Sequence, residues 1–201
     1  MCNLYRMTQA VGEVAKWFDA VNEVVGANFG PEVYPGNPGA VIAGGALRQM
    51  TWGFPLVLNS KRTGEALKPK PVNNARADKL DSYMWRYSFA ERRCLIPLTA
   101  WAEAQGPRGG KTRTWLSLPN ADLFTVAGIW RESSEWGDCY SMIMTDAAGA
   151  AAEVHSRMPV ILSPETRDQW QQGPLDEARQ LLRSFDGALT IDRTSQSWGG
   201  K

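Results

Sequence analysis

One histidine, His155, and three cysteines, Cys2, Cys94 and Cys139, with no CxxC pair, are present in the chain. Sites that need several histidines, HExxH among them, are excluded, and a zinc centre is not expected. No motif calls for a metal or a cofactor. The odd cysteine count argues against a disulfide framework and for a reducing, cytoplasmic compartment. Charge of one sign is also lacking: 22 basic and 21 acidic residues leave a net charge of +1. Nucleic-acid binding would therefore have to rest on a local patch. No apolar run approaches the ~20 residues that span a bilayer. The opening MCNLYRMTQA has no basic-then-apolar signal, so no membrane association is expected. Internal repeats and low-complexity tracts are missing, as are GxSxG and GxGxxG motifs. The glycine-rich stretch Gly106–Thr112 imitates a phosphate loop, but its first glycine is one residue too close to GKT. It also runs into strand-like TRTWLSLPN, not a helix, and reads as a hairpin loop.

What is present describes an ordinary globular protein, 43% apolar and 21% charged over 201 residues, forming one domain over 1–201. Nine tryptophans are read mainly as core. Residues 8–22 pattern as an amphipathic helix capped by Thr8, with Val11, Val14, Ala15, Phe18 and Val21 on one face. A Gly/Pro/Asn-rich loop follows over 26–40. Strands are expected at about 40–43, 46–53, 112–118, 123–131 and 140–145. Helices are expected from near Ala75 toward Tyr87, from Ser163-Pro164-Glu165 onward, and over Leu175–Phe185. Terminal helices around central strands imply an α+β fold with mainly antiparallel pairing.

The start Met1-Cys2 carries the most chemical information. Removal of Met1 would leave a cysteine with a free α-amine, so that an amine and a thiol occupy adjacent carbons of one residue. An amine condenses with a carbonyl to a Schiff base, and a neighbouring thiol can then close a five-membered thiazolidine. Their reference pKa values, about 7.7–8.0 and about 8.5, leave useful fractions of both reactive forms near neutrality. Such chemistry needs an acid or base and a group to orient the nucleophile. The polar candidates set in apolar surroundings are Asn73-Asn74-Ala75-Arg76, Glu103 after the run Cys94–Ala102, and His155 with Arg157. Each taken singly also fits a structural role.

Four segments, MCNLY, PVNNARAD, RRCLIPLTAWAE and VHSRMPVIL, resemble the SOS-response-associated peptidase (SRAP) family, which handles abasic DNA sites. MTWGF, FTVAGIW and MIMTDA fall between them in the family's order, so the resemblance runs from residue 2 to about residue 190. It implies an SRAP-like fold of antiparallel sheets in a barrel-like core flanked by helices. Cys2 looks like the family's covalent residue, Asn74 like the amide beside the new N-terminus, Glu103 like the acid/base and His155 like its partner. Arg76 and Arg157 resemble phosphate-binding arginines and Thr145 a DNA-contacting threonine, while Trp52 and Pro35 fall with the DNA-binding residues. The implied partner is single-stranded DNA with an abasic site, met by a monomer at the nucleoid and shielded as a thiazolidine crosslink.

The chain departs from the family at Cys2-Asn3-Leu4, where Cys-Gly-Arg is usual, and at Ala104, where a tryptophan normally follows the acid. Tryptophans expected after Trp52-Gly53 are replaced by Phe-Pro-Leu-Val-Leu. The acid/base set is kept while the base-stacking surface changes. Two other readings stay open: a thiol peptidase or hydrolase using Cys2, His155 and Asn74 or Glu103, and a non-covalent single-strand binder. Arg86, Arg92 and Arg93, and Lys61-Arg62 with Lys68 and Lys70, are read as solvated faces first and as DNA grooves second.

Overall fold

The run Arg93–Leu98 is buried at every position, as befits a short apolar segment with strands on both sides. The computed structural model describes residues 2–24 and 30–199. In it Arg93–Leu98 pairs antiparallel with Phe124–Arg131 on one edge and with Pro38–Ala43 on the other. The larger sheet runs in the order Arg157–Pro159, Cys139–Asp146, Phe124–Arg131, Arg93–Leu98, Pro38–Ala43, Ala46–Trp52, Val21–Asn22. Cys139 and Tyr140 also pair in parallel with Thr51 and Trp52. That contact closes five strands on themselves through two residue pairs, so the barrel-like core is present only loosely. A five-stranded sheet, entirely antiparallel, holds Thr190–Ser197, Thr112–Ser117, Ala100–Gln105, Tyr5–Arg6 and Glu32–Val33 in that order. The chain passes from the larger sheet to the smaller across Thr99, whose N–H donates to the Arg6 carbonyl at 2.8 Å.

Short helices cover the outside. Arg167–Gln172 is fixed by the Trp170 indole, which donates to the Cys94 carbonyl at 2.9 Å. The buried Arg93 guanidinium donates to the carbonyls of Phe89, Ala90, Trp170 and Gly173, satisfying the ends of two helices at once. Arg93 is therefore a clamp and no part of a solvated basic face. The α+β fold with mostly antiparallel sheets is as expected. No helix among the described residues is long and apolar enough to cross a membrane.

Several boundaries differ from the pattern read in the sequence. The first helix is only Val11–Trp17, with Ala10 at its N-cap position and no side-chain cap from Thr8. Asp19 then takes a left-handed φ of 47°, and Val21–Asn22 leaves as a strand parallel to Ala46–Leu47. No helix runs from Ala75 toward Tyr87. Asn74–Arg76 is a strand parallel to Met142–Met144, Ala77–Lys79 is a 3-10 turn, and the helix is Arg86–Glu91. Long-range strand pairing overrides local propensity there. The later helices are also shorter: Pro164–Thr166 is 3-10 and Leu175–Gln180 ends early. The hairpin reading of 106–111 holds, since Ala100–Gln105 and Thr112–Ser117 pair across it. Of the loop expected over 26–40, residues 26–29 lie outside the described residues.

Candidate active site

The strand Asn74–Arg76 lies against Met142–Met144 and brings two side-chain amides under the start of the chain. Asn74 Nδ2 donates to the Cys2 carbonyl at 2.7 Å, and Asn73 Nδ2 donates to the same oxygen at 2.9 Å. Asn73 Nδ2 also reaches Asn3 Oδ1 at 3.1 Å. Both asparagines are buried, so these bonds act without competition from bulk water. Asn74 Oδ1 is buried too, with no hydrogen-bond partner among the described residues.

The opposite wall comes from the five-stranded sheet. Leu4 accepts from the Ala102 N–H at 2.9 Å and Tyr5 pairs with Trp101. Running that antiparallel register toward the N-terminus sets Cys2 and Asn3 beside Glu103. Glu103 is buried with 3% of its surface exposed. Burial pushes its carboxyl above the usual range. The Cys2 thiol is fully buried and lies 3.4 Å from the Leu4 carbonyl. Burial first, and then the Glu103 carboxylate, push it far above an ordinary thiol, so it stands as neutral S–H. His155 is half-buried, and its Nδ1 accepts the Arg157 backbone N–H at 2.9 Å. The same nitrogen lies 3.2 Å from the Arg157 carbonyl, and the tautomer sets which of the two it bonds.

Behind this pocket lies an aromatic brace. The Trp52 indole donates to the Asn73 carbonyl at 3.1 Å. Its ring meets Tyr5 edge-on at 5.0 Å and stacks at 6.5 Å on Tyr140, whose hydroxyl is hydrogen-bonded to that of Tyr5. A Cβ at Gly39 would fall 2.2 Å from the Tyr140 hydroxyl, so only glycine admits the pair. Trp52 is completely buried, which corrects its placement among DNA-stacking residues: no face of the ring reaches solvent. Trp101 is interior for the same reason. Pro35 opens a turn in which the Asn37 N–H meets the Tyr34 carbonyl at 3.0 Å and Gly36 takes the φ of +84° that a type II turn requires. The Gly36 N–H donates to the Trp52 carbonyl at 2.7 Å. The turn that Pro35 opens is thus tied to the brace.

Arg76, Arg157 and Thr145 gather in a separate, open groove. Arg76 grips Asp78 at 2.9 and 2.6 Å, and Arg157 lies 3.6 Å from Asp78 and 3.4 Å from Asp146. The Arg76 hydrogen bond holds the Asp78 carboxyl below its usual range. Ala77, Asp78, Thr145, Asp146, Arg157 and Arg179 line a cavity of about 320 Å³. Cys2, Asn74, Glu103 and His155 therefore form one site, and Arg76, Arg157 and Thr145 an adjoining one, linked through the two ends of His155–Arg157. Sequence reading gave the orienting role to Asn74 alone and missed that Asn73 shares it, although the Asn-Asn doublet was visible. It also missed Asp78, Asp146 and Arg179, whose roles arise from long-range packing with no local signature. Among the described residues no group of three or more potential metal ligands occurs.

The match to known proteins is consistent across sequence and fold. The family model described as SOS response associated peptidase (SRAP) matches residues 1–198. The abasic site processing protein YoqW of Bacillus subtilis is 28% identical over 123 residues, 56% of this chain and 54% of that protein. An abasic site processing protein of Saccharomyces cerevisiae is 26% identical over 155 residues, 76% of this chain and 37% of that one. The chain thus spans about half, or less, of the length of these curated relatives. A crystal structure of a Bordetella bronchiseptica protein superposes with a TM-score of 0.80 at 22% identity, over 96% of this chain and 99% of that one. One from Bacteroides thetaiotaomicron gives 0.77 at 20%, over 96% and 91%. At such identities the likeness concerns the fold.

Proposed function

The chain belongs to the SOS response associated peptidase (SRAP) family, and on that premise we propose that it captures abasic sites in single-stranded DNA as a thiazolidine on Cys2, after Met1 is removed. The relatives named as abasic site processing proteins supply the substrate class. The observation that carries the reading is the convergence of two buried amides on the Cys2 carbonyl with a buried carboxyl alongside.

The open-ring sugar presents an aldehyde. The Cys2 α-amine adds to its carbon, forming a C–N bond and a carbinolamine. Glu103, kept protonated to higher pH by burial, donates a proton to the departing hydroxyl; water leaves and an iminium forms. The Cys2 sulfur then adds to the same carbon. Its proton passes to the Glu103 carboxylate, directly or through His155, and the ring nitrogen keeps its one hydrogen as a neutral secondary amine. One aldehyde, one amine and one thiol yield one thiazolidine and one water. The order of events suits the pocket: the thiol is held neutral and does not compete with the amine in the first addition. Anchoring the Cys2 carbonyl fixes the rotation of the residue and so the direction of both nucleophiles.

The same neutral thiol speaks against a thiol peptidase, which needs a thiolate stabilised by a paired imidazolium. Instead, the nearest acid pushes Cys2 upward.

Intact mass is the test, taken before and after mixing with single-stranded DNA bearing one abasic site. The expected result is a heat-stable adduct on protein lacking Met1, heavier by the oligonucleotide minus one water, and no adduct with Cys2→Ala. Absence of the adduct with Met1 confirmed missing would overturn the proposal. Persistence of the adduct after chemical blocking of the α-amine would overturn the amine-first order.

A further inference from the structure

Tyr83 and Tyr87 are 83% and 64% exposed, an unusual display for aromatic side chains in a protein whose other rings are mostly interior. They flank Arg86, whose guanidinium lies 5.5 Å from the Tyr83 centroid and 4.7 Å from that of Tyr87, and it donates to the Tyr87 hydroxyl at 3.1 Å. Next to them Arg92 lies 5.3 Å from the Trp130 ring centre and Arg131 4.5 Å from that of Phe54. A cavity of about 400 Å³ opens between Tyr83, Tyr87, Arg92, Arg131 and Glu132. No carboxylate among the described residues lies within 4.0 Å of the Arg86, Arg92 or Arg131 guanidinium. In the groove, by contrast, Arg76, Arg157 and Arg179 are each ion-paired.

We propose that Tyr83, Tyr87, Arg86 and Arg92 form a base-stacking platform for the single strand that leaves the Arg76–Arg157 groove. Unpaired guanidinium groups interleaved with open aromatic faces are the combination that holds single strands without sequence readout. The platform continues from the groove. Arg179 lines that groove, pairs with Asp81 at 2.7 Å two residues before Tyr83, and lies 5.1 Å from the ring centre of Phe89 in the helix that carries Tyr87. Tyr83 lies seven positions after Arg76, at most about 25 Å of chain, within the span of a strand of roughly 4–16 nucleotides. This inference rests on the proposed DNA reading of the chain.

The test measures reversible binding by fluorescence anisotropy in a Cys2→Ala background, with single strands of about 6 and about 20 nucleotides and a duplex of the longer length. Tyr83→Ala is expected to weaken the long single strand about tenfold and leave the short strand and the duplex unchanged. Tyr83→Phe, which keeps the ring, should bind like the parent. Arg86→Ala should lower the salt slope for the long strand by about 0.7. Long-strand affinities equal to the parent's in both the Tyr83→Ala and Arg86→Ala variants would overturn the platform, and would leave the surface to a partner other than DNA. The chemistry is scored separately on protein with Cys2 intact. No adduct there, with long-strand affinity still lost on Tyr83→Ala, removes the crosslinking reading and keeps the platform. A normal adduct with no length effect does the reverse.

Discussion

The pocket around Cys2 and the groove around Arg157 are joined by three residues of chain, yet they are built on opposite principles. In the pocket, Asn73 and Asn74 are buried and aimed at the Cys2 carbonyl, Glu103 is buried as well, and Trp52 of the aromatic brace holds the Asn73 backbone. In the groove, Arg76 and Arg157 are accessible and already neutralised by Asp78 and Asp146. A fixed, water-poor site suits bond making, since its dipoles need no rearrangement when charge develops. A hydrated groove with exchangeable ion pairs suits a polyanion that has to arrive and be positioned, because phosphates can replace carboxylates at little net expense. The difference separates residues expected to change rate from residues expected to change affinity.

The largest effect should come from the carboxyl. Glu103→Gln is expected to slow adduct formation by about 10²–10⁴-fold while leaving the Kd for single-stranded DNA unaltered, measured by single-turnover kinetics at saturating DNA. The same substitution should change stability in the opposite direction. The folded-state pKa of Glu103 lies above the unfolded value of about 4.3. Between the two values the native state binds the extra proton, so wild-type stability falls as pH rises through the folded value. Replacing the group with a neutral amide removes that loss. The Gln variant should melt higher than wild type at pH 7–8, with the gap closing below about pH 4. A variant that is both slower and less stable at pH 8 would assign Glu103 a structural role instead.

The two amides come next. Asn74→Ala should lower the rate of adduct formation about 10–100-fold, the scale on which a misplaced nucleophile is penalised. Asn73→Ala should have the smaller effect, because the shorter of the two bonds remains. Affinity should again be unmoved. If Asn73→Ala instead proves as damaging as Asn74→Ala, its second bond, to Asn3 Oδ1, is doing part of the orienting. The Asn3→Gly/Asn73→Ala double mutant would then show less than additive loss.

How much of this contrast was legible in the sequence differs between the two regions. Cys2, Asn74, Glu103 and His155 sit in distinctive short motifs, but their placement in one pocket rests on long-range strand pairings that no local pattern displays. Glu103 shows this: it follows the apolar run Cys94–Ala102, which divides into strands of two different sheets, and the pairing of Tyr5 with Trp101 brings its strand beside the N-terminus. The helix assigned from Ala75 was wrong because Asn74–Arg76 lies beside Met142–Met144, nearly seventy positions away, and no local window contains that partner. Trp52 misled for a related reason. The indole of Trp52-Gly53 reads first as core and second as stacking surface, and the flanking Tyr5 and Tyr140, remote in sequence, decide for the core. The groove's acids were invisible on the same ground, since Asp78 gains its role when Arg157 arrives from another strand.

Those acids give the smallest and most discriminating prediction. If Asp78 serves as a stand-in for phosphate, Asp78→Asn frees the Arg76 guanidinium, leaves Arg157 with Asp146 as its one acidic partner, and removes a repulsive charge from the DNA path. The Kd for single-stranded DNA should then tighten about 2–5-fold, with a steeper dependence on salt because more counterions are released per contact. Arg157→Ala should do the opposite, weakening binding about 3–10-fold and lowering the salt slope by about 0.7. Neither should move the rate at saturating DNA. The comparison breaks if Asp78→Asn weakens binding, for then the ion pairs hold the arginines in a shape the strand requires, and the groove is as preorganised as the pocket. Titrations at two ionic strengths decide it, because a lost scaffold lowers affinity at both, whereas released arginines gain most at low salt.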